Sequence, residues 1–175
     1  MNMHSAGISR IPALDVETLA ARALFQPSAY FLVSGTGDGS QRLVAFDQAL
    51  LRAGIADVNL VRLSSIVGPK VRRIEPVTLA PGLLVPTAYA QICSDKTGCT
   101  IAAAVAVAHP DDPERAGVIM EFSHEGSAHE AEEIVRGMAE QAIANRGLKV
   151  ARMESIAAEH VVEAHGCAFA GVVQI

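Results

Sequence analysis

The sequence predicts an α+β domain with a largely antiparallel sheet, and three observations lead to this class. The chain of 175 residues has the length of one domain, and half of its residues are hydrophobic, which is enough for a core. Short apolar segments bounded by turn residues recur along the chain, and two longer segments have helical periodicity. The segments do not follow the strict strand–helix–strand alternation that is typical of a parallel sheet.

The composition argues against several other classes of protein. A net charge of −5 disfavours a nucleic-acid-binding protein, which would need a basic stripe. The longest apolar run, Ile101–Ala108, is too short to span a bilayer, and the first ten residues carry no secretion signal. The three cysteines include no Cys-x-x-Cys pair, so we expect buried, reduced thiols in a cytoplasmic protein. The histidine spacings match no metal-binding motif, so we expect no metal.

The chain is expected to begin with an extension, residues 1–27, that contains a helical pattern from about Asp15 to Phe25. The domain, 28–175, then starts with a short buried strand, Tyr30–Ser34, and a glycine-rich loop, 35–39. A loop between a strand and a helix can bind phosphate, but this one has no lysine and includes an aspartate. We therefore interpret it as a plain turn.

The remaining elements follow from periodicity and from capping residues. The first helix is expected over 41–53, with Ser40 as its N-cap. A stronger helical pattern covers 128–146, where Ser127 and Glu130 form a capping box. The expected strands are Val58–Leu63, Leu83–Ile92, Thr100–Ala108, Gly117–Phe122, Lys149–Val162 and Cys167–Val173. The last two are ambiguous by pattern alone.

Two carboxylates interrupt apolar patterns. Asp47 lies four residues after Leu43 and three before Leu50, beside the stripe of the first helix that should be buried. A buried carboxylate there would need a donor or a cationic partner, whereas one at the edge of the stripe would be hydrated. Glu121 lies within 117–122, a strand pattern with two apolar faces. It is expected either to be half-buried, with a raised pKa that suits a general acid, or to face water.

A set of separated motifs then points to a known family. The segments are Ala45–Leu51, Ala53–Ile55, Asn59–Ile66, Leu84–Ala90, Ser94-Asp95, Gly117–Phe122, Glu154–His160 and Gly166–Ala170. Together they resemble the pyruvoyl-dependent arginine decarboxylases. The resemblance covers about residues 30–173, and the extension lies outside it.

The resemblance implies an inactive proenzyme that cleaves itself between Ser64 and Ser65. The Ser65 hydroxyl would attack the Ser64 carbonyl, and the resulting ester would break by β-elimination. Hydrolysis with loss of ammonia would leave a pyruvoyl group, the covalent cofactor, at the start of the α chain, 65–175, separate from the β chain, 1–64. Asn59, six residues before Ser65, is implied to bind the developing oxyanion, and strand alternation would place it on the same face as Ser65.

The resemblance also implies roles for the two unusual carboxylates. Arginine would form a Schiff base on the pyruvoyl group and lose carbon dioxide, and Glu121 would reprotonate Cα to give agmatine. Asp47 would bind the guanidinium of the substrate, the cationic partner that a half-buried carboxylate needs. The implied fold is a four-layer αββα sandwich, assembled as a homotrimer of αβ protomers with active sites between protomers.

Two alternatives remain open from the sequence. The same chemistry could act on another cationic amino acid, such as lysine or ornithine. The chain could also be an uncleaved, non-catalytic trimeric homologue with a structural or regulatory role. Catalysis is favoured because Ser65, Asn59, Asp47 and Glu121 are all present, and a degenerate homologue has no reason to keep all four.

Overall fold

The computed structural model describes residues 26–175, so the helix expected between Asp15 and Phe25 lies outside the described residues. The described part contains two helices, α1 (Arg42–Ala53) and α2 (Ala128–Ala144), and nine strands, which confirms the α+β class. The strands are β1 (Ala29–Gly39), β2 (Asn59–Arg62), β3 (Ile66–Val67), β4 (Arg72–Arg73), β5 (Leu84–Ser94), β6 (Thr100–Pro110), β7 (Gly117–Glu125), β8 (Val150–Val161) and β9 (His165–Gln174). Neither helix is long and apolar enough to cross a membrane.

The strands form two sheets that are mostly antiparallel. The five-stranded sheet has the order β2-β5-β9-β1-β4, and only its two outer pairs are parallel. The four-stranded sheet has the order β3-β7-β6-β8 and is antiparallel throughout. Both segments that were ambiguous by pattern are strands, β8 and β9, as favoured from the sequence.

Three clusters of buried side chains hold these elements together. The first cluster joins the two sheets, with Leu32 on the five-stranded sheet and Val105 on the four-stranded one. The second joins α1 to the five-stranded sheet through Ala49 and Phe169, and the third joins α2 to the four-stranded sheet through residues such as Val135. Alanine and valine make up much of these clusters, so the elements approach closely, as a sequence with few aromatic residues requires.

The glycine-rich segment 35–39 is not a loop, contrary to the expectation. It continues β1, which pairs with β9 as far as Gly39. A Cβ atom on Gly37 would lie 2.5 Å from the Cβ of Gln48 and 2.8 Å from the carbonyl oxygen of Ala45, both on α1. The alternating glycines therefore let the helix backbone lie directly against the strand, which is a packing role that a turn pattern does not reveal.

Gly37→Ala is expected to destabilise the protein by about 3 kcal/mol, the upper part of the range for an overpacked core, because its methyl group would push against the α1 backbone. Gly137→Ala is the matched control, since a Cβ at this position of α2 meets nothing within 4 Å. The control should stabilise the protein by about 0.5–1 kcal/mol, because alanine favours a helix. Urea unfolding measures both. A Gly37→Ala variant as stable as the wild type would contradict the packing role.

The helix ends are set by local chemistry. The predicted capping box of α2 is confirmed, because Ser127 Oγ accepts from the backbone N–H of Glu130 at 3.2 Å and Glu130 Oε2 accepts from the N–H of Ser127 at 3.0 Å. The N-cap of α1 is Gln41 rather than Ser40, since Gln41 is the last extended residue before the helix. Gly54 ends α1 with a φ of 76°, which glycine adopts without strain.

The expectation of three reduced thiols is wrong for two of the cysteines. Cys93 on β5 and Cys167 on β9 lie directly opposite each other and form a disulfide, with 4.1 Å between their Cα atoms. Cys99 is a free, partly exposed thiol. The paired cysteines are 74 residues apart, so only the register between β5 and β9 reveals that they are neighbours.

Candidate active site

The Ser64–Ser65 step lies in the short connection between β2, which ends at Arg62, and β3, which begins at Ile66. Ser65 has a φ of 74°, in the left-handed region that residues with a side chain rarely adopt. The carbonyl oxygen of Ser65 accepts a hydrogen bond of 2.8 Å from the backbone N–H of Ile119 on β7. The second residue of the implied cleavage site is thus held in a strained conformation by the neighbouring strand.

Glu121 on β7 lies beside this step. Ile119 belongs to the cluster between the sheets, whereas Met120 and Phe122 pack towards α2. Strand alternation therefore places Glu121 on the side that faces the other sheet, where it is half-buried, as one of the two sequence-based alternatives stated. The hydroxyl of Ser65 donates a hydrogen bond to Glu121 Oε1. Two of the four predicted site residues are thus in direct contact.

Burial raises the pKa of Glu121 above its usual value, because the carboxylate loses hydration. The hydrogen bond from Ser65 and the charge of Arg62 lower the pKa of Glu121 in turn, but they do not cancel the effect of burial. A carboxyl group with a raised pKa keeps its proton to a higher pH than a hydrated carboxyl group does. The site therefore combines a nucleophilic hydroxyl with a group that can accept or donate a proton.

Two further residues, Arg62 and Tyr89, were not anticipated from the sequence. The guanidinium carbon of Arg62 lies 4.6 Å from the centroid of the Tyr89 ring, and Arg62 donates a hydrogen bond of 3.2 Å to the Tyr89 carbonyl. Arg62 could have been noticed in the sequence, because it is the one charged residue in the largely apolar segment 58–63. Tyr89 could not have been identified as its partner, because only the parallel pairing of β2 with β5 brings the two residues together.

Asn59 lies at the opposite end of β2 from the Ser64–Ser65 step. Its side chain is exposed, and Nδ2 donates a hydrogen bond of 3.0 Å to the carbonyl oxygen of Gly82. The expected shared face with Ser65 is not observed, because β2 ends at Arg62 and Ser65 lies outside any strand. Among the hydrogen bonds of residues 26–175, none joins Asn59 to the step.

Asp47 is exposed on α1 within the single chain, which is the second of the two alternatives that the sequence left open. The helix buries the face that carries Ala45 and Ala49, and Leu43 is 75% exposed. The sequence pattern assigned the buried face of α1 from the positions of its large apolar side chains. In the structure, the face that lies against the glycines of β1 is instead the one that carries the alanines. Within the described chain, no hydrogen bond or ion pair joins Asp47 to Ser65 or Glu121.

Comparisons with known proteins show the family to which the chain belongs. A family model described as pyruvoyl-dependent arginine decarboxylase matches residues 29–175. The pyruvoyl-dependent arginine decarboxylase of Methanocaldococcus jannaschii is 49% identical over 158 residues, which cover 90% of this chain and 96% of that protein. Its counterpart in Methanococcus maripaludis is 44% identical, with 89% and 95% covered. That of Thermococcus kodakarensis is 41% identical, with 78% and 87% covered.

The α+β fold, the strained internal serine and the carboxylic acid against its hydroxyl define, together with these matches, a pyruvoyl-dependent decarboxylase. Within that class, the chain belongs to the pyruvoyl-dependent arginine decarboxylase family, since the family model covers nearly all of the described residues. The resemblance found in the sequence is thereby confirmed. Members of this family are carbon–carbon lyases that use a covalently bound pyruvoyl group.

Proposed function

We propose that this protein cleaves itself between Ser64 and Ser65 and then converts L-arginine to agmatine and carbon dioxide. The observation that carries the proposal is the contact between the hydroxyl of Ser65 and Glu121 on a strained backbone. Arginine as the substrate rests on the family and on its curated relatives. The non-catalytic alternative is disfavoured by the same observations, because a structural homologue has no use for a strained serine beside a protonatable acid.

In the proposed cleavage, Ser65 Oγ attacks the carbonyl carbon of Ser64 and gives up its proton. Glu121 is the acceptor in contact with that hydroxyl, and burial makes its carboxylate a stronger base than a hydrated one. The left-handed backbone of Ser65 costs about 1–3 kcal/mol in the ground state, which lowers the barrier if the strain is relieved in the ester. Asn59 could stabilise the oxyanion only after its amide leaves the carbonyl of Gly82.

For the decarboxylation, the covalent pyruvoyl group supplies a conjugated carbonyl that withdraws electrons as carbon dioxide leaves. Ser65 is the residue from which this group would form, so Glu121 already lies beside the reacting position. We propose that Glu121 holds the proton that is delivered to Cα of the product. Because the hydrogen bond from Ser65 lowers the pKa of Glu121, loss of that hydroxyl on processing should raise the pKa further.

The experiment that tests this function is an assay of purified, processed protein with L-arginine, in which agmatine is quantified by mass spectrometry. Lysine and ornithine are tested alongside at equal concentrations. We expect arginine to have the highest kcat/KM of the three. Faster turnover of lysine or ornithine would favour the same chemistry on another cationic amino acid, and no turnover of any substrate by cleaved protein would refute the proposal.

The rate of decarboxylation is expected to fall as the pH rises through the raised pKa of Glu121, because the deprotonated carboxylate has no proton to give. Arg62→Gln should shift this alkaline limb to higher pH, since the charge of Arg62 lowers the pKa of Glu121. The measurement is a profile of kcat against pH for both proteins. A limb that stays in place or moves to lower pH in Arg62→Gln would contradict the assignment of Glu121 as the titrating acid.

The proposal extends to the architecture and the assembly. We infer a four-layer αββα sandwich from the three clusters, which lie between α1 and one sheet, between the sheets, and between the other sheet and α2. A homotrimer with active sites between protomers is supported by the outer side of α1. There, Leu43 is 75% exposed and Leu51 is 50% exposed, four residues on either side of Asp47. A second protomer packed on these leucines would make Asp47 half-buried and available to a guanidinium.

Asp47→Asn is expected to raise KM for arginine about 10–100-fold, the loss that follows when one hydrogen-bonded charge pair is removed. Self-cleavage should be unchanged, because Asp47 makes no described contact with the Ser64–Ser65 step. Asp57→Asn is the matched control, since Asp57 is also an exposed aspartate near the end of α1. Steady-state kinetics decide the matter, and an Asp47→Asn variant with the KM of the wild type would exclude the proposed role.

A further inference from the structure

A cavity of about 540 Å³ outside the candidate active site contains a cluster of basic side chains. Neither Ser65 nor Glu121 lines it. Its basic residues are Lys70, Arg72, Arg73, Arg115 and Arg152, and its acidic residue is Asp112. The cavity lies between the segment after β3, the connection from β6 to β7 and the start of β8. A concentration of cations in one cavity is unexpected for a protein with a net charge of −5.

Two of these cations are already neutralised. Lys70 pairs with Glu114 at 2.8 Å, and Nε of Arg73 pairs with Glu154 at 3.3 Å. Arg73 also pairs with Glu75. These two residues therefore contribute little free charge to the cavity.

The other three cations remain available. Within residues 26–175, no ion pair engages Arg72, Arg115 or Arg152. Asp112, the acidic lining residue, accepts a hydrogen bond of 3.0 Å from the backbone N–H of Glu114. Counted with the three carboxylates that pair with Lys70 and Arg73, the five basic side chains face four carboxylates, which leaves one positive charge in excess and three guanidinium groups without an ion pair.

A partly buried polar network holds one of these guanidinium groups, that of Arg152, whose side chain is otherwise exposed. The hydroxyl of the fully buried Tyr30 donates to Glu154 and accepts from Arg152 at 3.2 Å, and Nε2 of His109 lies 2.9 Å from the same oxygen. Burial raises the pKa of Tyr30, and burial followed by the charge of Arg152 lowers the pKa of His109. Both rings are therefore neutral at physiological pH, and the free positive charge comes from the arginines.

We propose that this cavity binds a small molecule that carries a multiply charged phosphate group. A guanidinium group is planar and can donate two parallel hydrogen bonds to one anion. A tetrahedral phosphate has enough oxygen atoms to accept hydrogen bonds from several guanidinium groups at once, whereas a single carboxylate has only two oxygen atoms. The three guanidinium groups without an ion pair supply the hydrogen-bond donors that such an anion needs. A cationic amino acid would be repelled here, so the cavity is distinct from the proposed site for arginine.

Binding should also stabilise the fold. Residues 69–73 of the cavity follow the Ser64–Ser65 step closely, and Lys70 among them has a φ of 65°, a second strained position. A bound anion would connect this segment to Arg115 and Arg152, which lie on other elements. Because the anion binds the folded chain and not the unfolded one, it should raise the unfolding temperature by an amount that grows with the logarithm of its concentration above the Kd.

The test is a titration of the purified protein, with both of its chains present after any self-cleavage, with inorganic pyrophosphate at constant ionic strength, followed by calorimetry and by thermal unfolding. We expect saturable binding by calorimetry and a rise in the unfolding midpoint of about 2–8 °C at a pyrophosphate concentration about ten times the Kd. Sodium acetate at the same ionic strength should have no such effect. No saturable binding of pyrophosphate, or an equal response to acetate, would overturn the proposal.

Variants test where the anion binds. The double variant Arg72→Gln/Arg115→Gln is expected to weaken pyrophosphate binding by more than about tenfold, because two charged hydrogen-bond donors are lost. Arg52→Gln is the matched control: its guanidinium is exposed on α1, outside the cavity, and should leave the affinity unchanged. A double variant that binds like the wild type would overturn the proposal.

A variant with the opposite effect keeps the test decisive even if the double variant does not fold. Asp112→Asn removes the acidic lining residue but keeps the oxygen that accepts from Glu114, so pyrophosphate should bind more tightly, by about two- to tenfold. Unchanged or weaker binding would count against the cavity.

Excess L-arginine should not displace pyrophosphate, and displacement would place the anion elsewhere. None of these measurements depends on turnover, so the result stands apart from the proposed decarboxylation.

Discussion

Ser65→Ala is expected to abolish both self-cleavage and decarboxylation and to leave the fold intact. The variant lacks the oxygen that would attack the Ser64 carbonyl, and without cleavage no pyruvoyl group can form. Alanine at a φ of 74° is strained to a similar degree as serine, so the stability should change little. Intact mass under denaturing conditions should show one species near 18.3 kDa. The wild type should show two chains, the larger of them lighter than a serine-started 65–175 by the mass of ammonia.

Ser64→Ala is the matched control for this prediction. It removes the neighbouring hydroxyl but keeps the carbonyl that is attacked and the contact between Ser65 and Glu121. We expect this variant to be cleaved and to decarboxylate arginine. Cleavage of Ser65→Ala would place the scissile bond elsewhere. Agmatine production by a wild-type chain that remains intact would separate the activity from processing altogether.

The parts of the fold that could be predicted are those with a local cause. The capping box of Ser127 and Glu130 needs only four residues, and it marks the start of α2 correctly. The alternation in β7 also depends only on neighbours, so the apolar residues around Glu121 indicated half-burial as one of two alternatives, and the packing of the two sheets decides between them. The raised pKa of that carboxyl was then a direct consequence of burial.

The features that could not be predicted depend on which elements meet. The glycines of 35–39 have the composition of a turn, and only the presence of α1 against them explains why they form a strand. The same contact rotates the buried face of α1 away from Asp47. The disulfide between Cys93 and Cys167 likewise needs the register of β5 with β9. In each case, the deciding information lies in a partner that is distant in sequence.

The left-handed backbone of Ser65 shows the same limit at the active site. A serine pair at the end of a strand is ordinary turn chemistry, and the residue pattern by itself does not indicate strain; only the cleavage that the resemblance implies requires a strained or firmly held loop. The strain arises because the Ser65 carbonyl is hydrogen-bonded to Ile119 on β7 at the point where the chain passes from β2 into β3. Strand β2 belongs to the five-stranded sheet and β3 to the four-stranded sheet, so the position of the Ser64–Ser65 step depends on how the two sheets pack.

Glu121→Gln is expected to lower kcat for arginine by about 10²–10⁴-fold, the usual contribution of a positioned general acid. KM should change much less, because the amide keeps the shape of the side chain and removes only the transferable proton. The variant should also cleave itself more slowly, since Glu121 is the group in contact with the attacking hydroxyl. The kinetic constants must therefore be normalised to the fraction of chains that carry the pyruvoyl group, which intact mass provides.

Glu125→Gln is the matched control for the acid, because Glu125 is exposed at the end of the same strand and pairs with Lys96. It should leave kcat within about twofold of the wild type, as exposed ion pairs contribute little. The alkaline limb of the pH profile should persist in Glu125→Gln and disappear in Glu121→Gln, since only the latter loses the titrating group. A normalised kcat for Glu121→Gln equal to that of the wild type would mean that another donor, or water, protonates Cα. The half-buried carboxyl would then serve only the cleavage step.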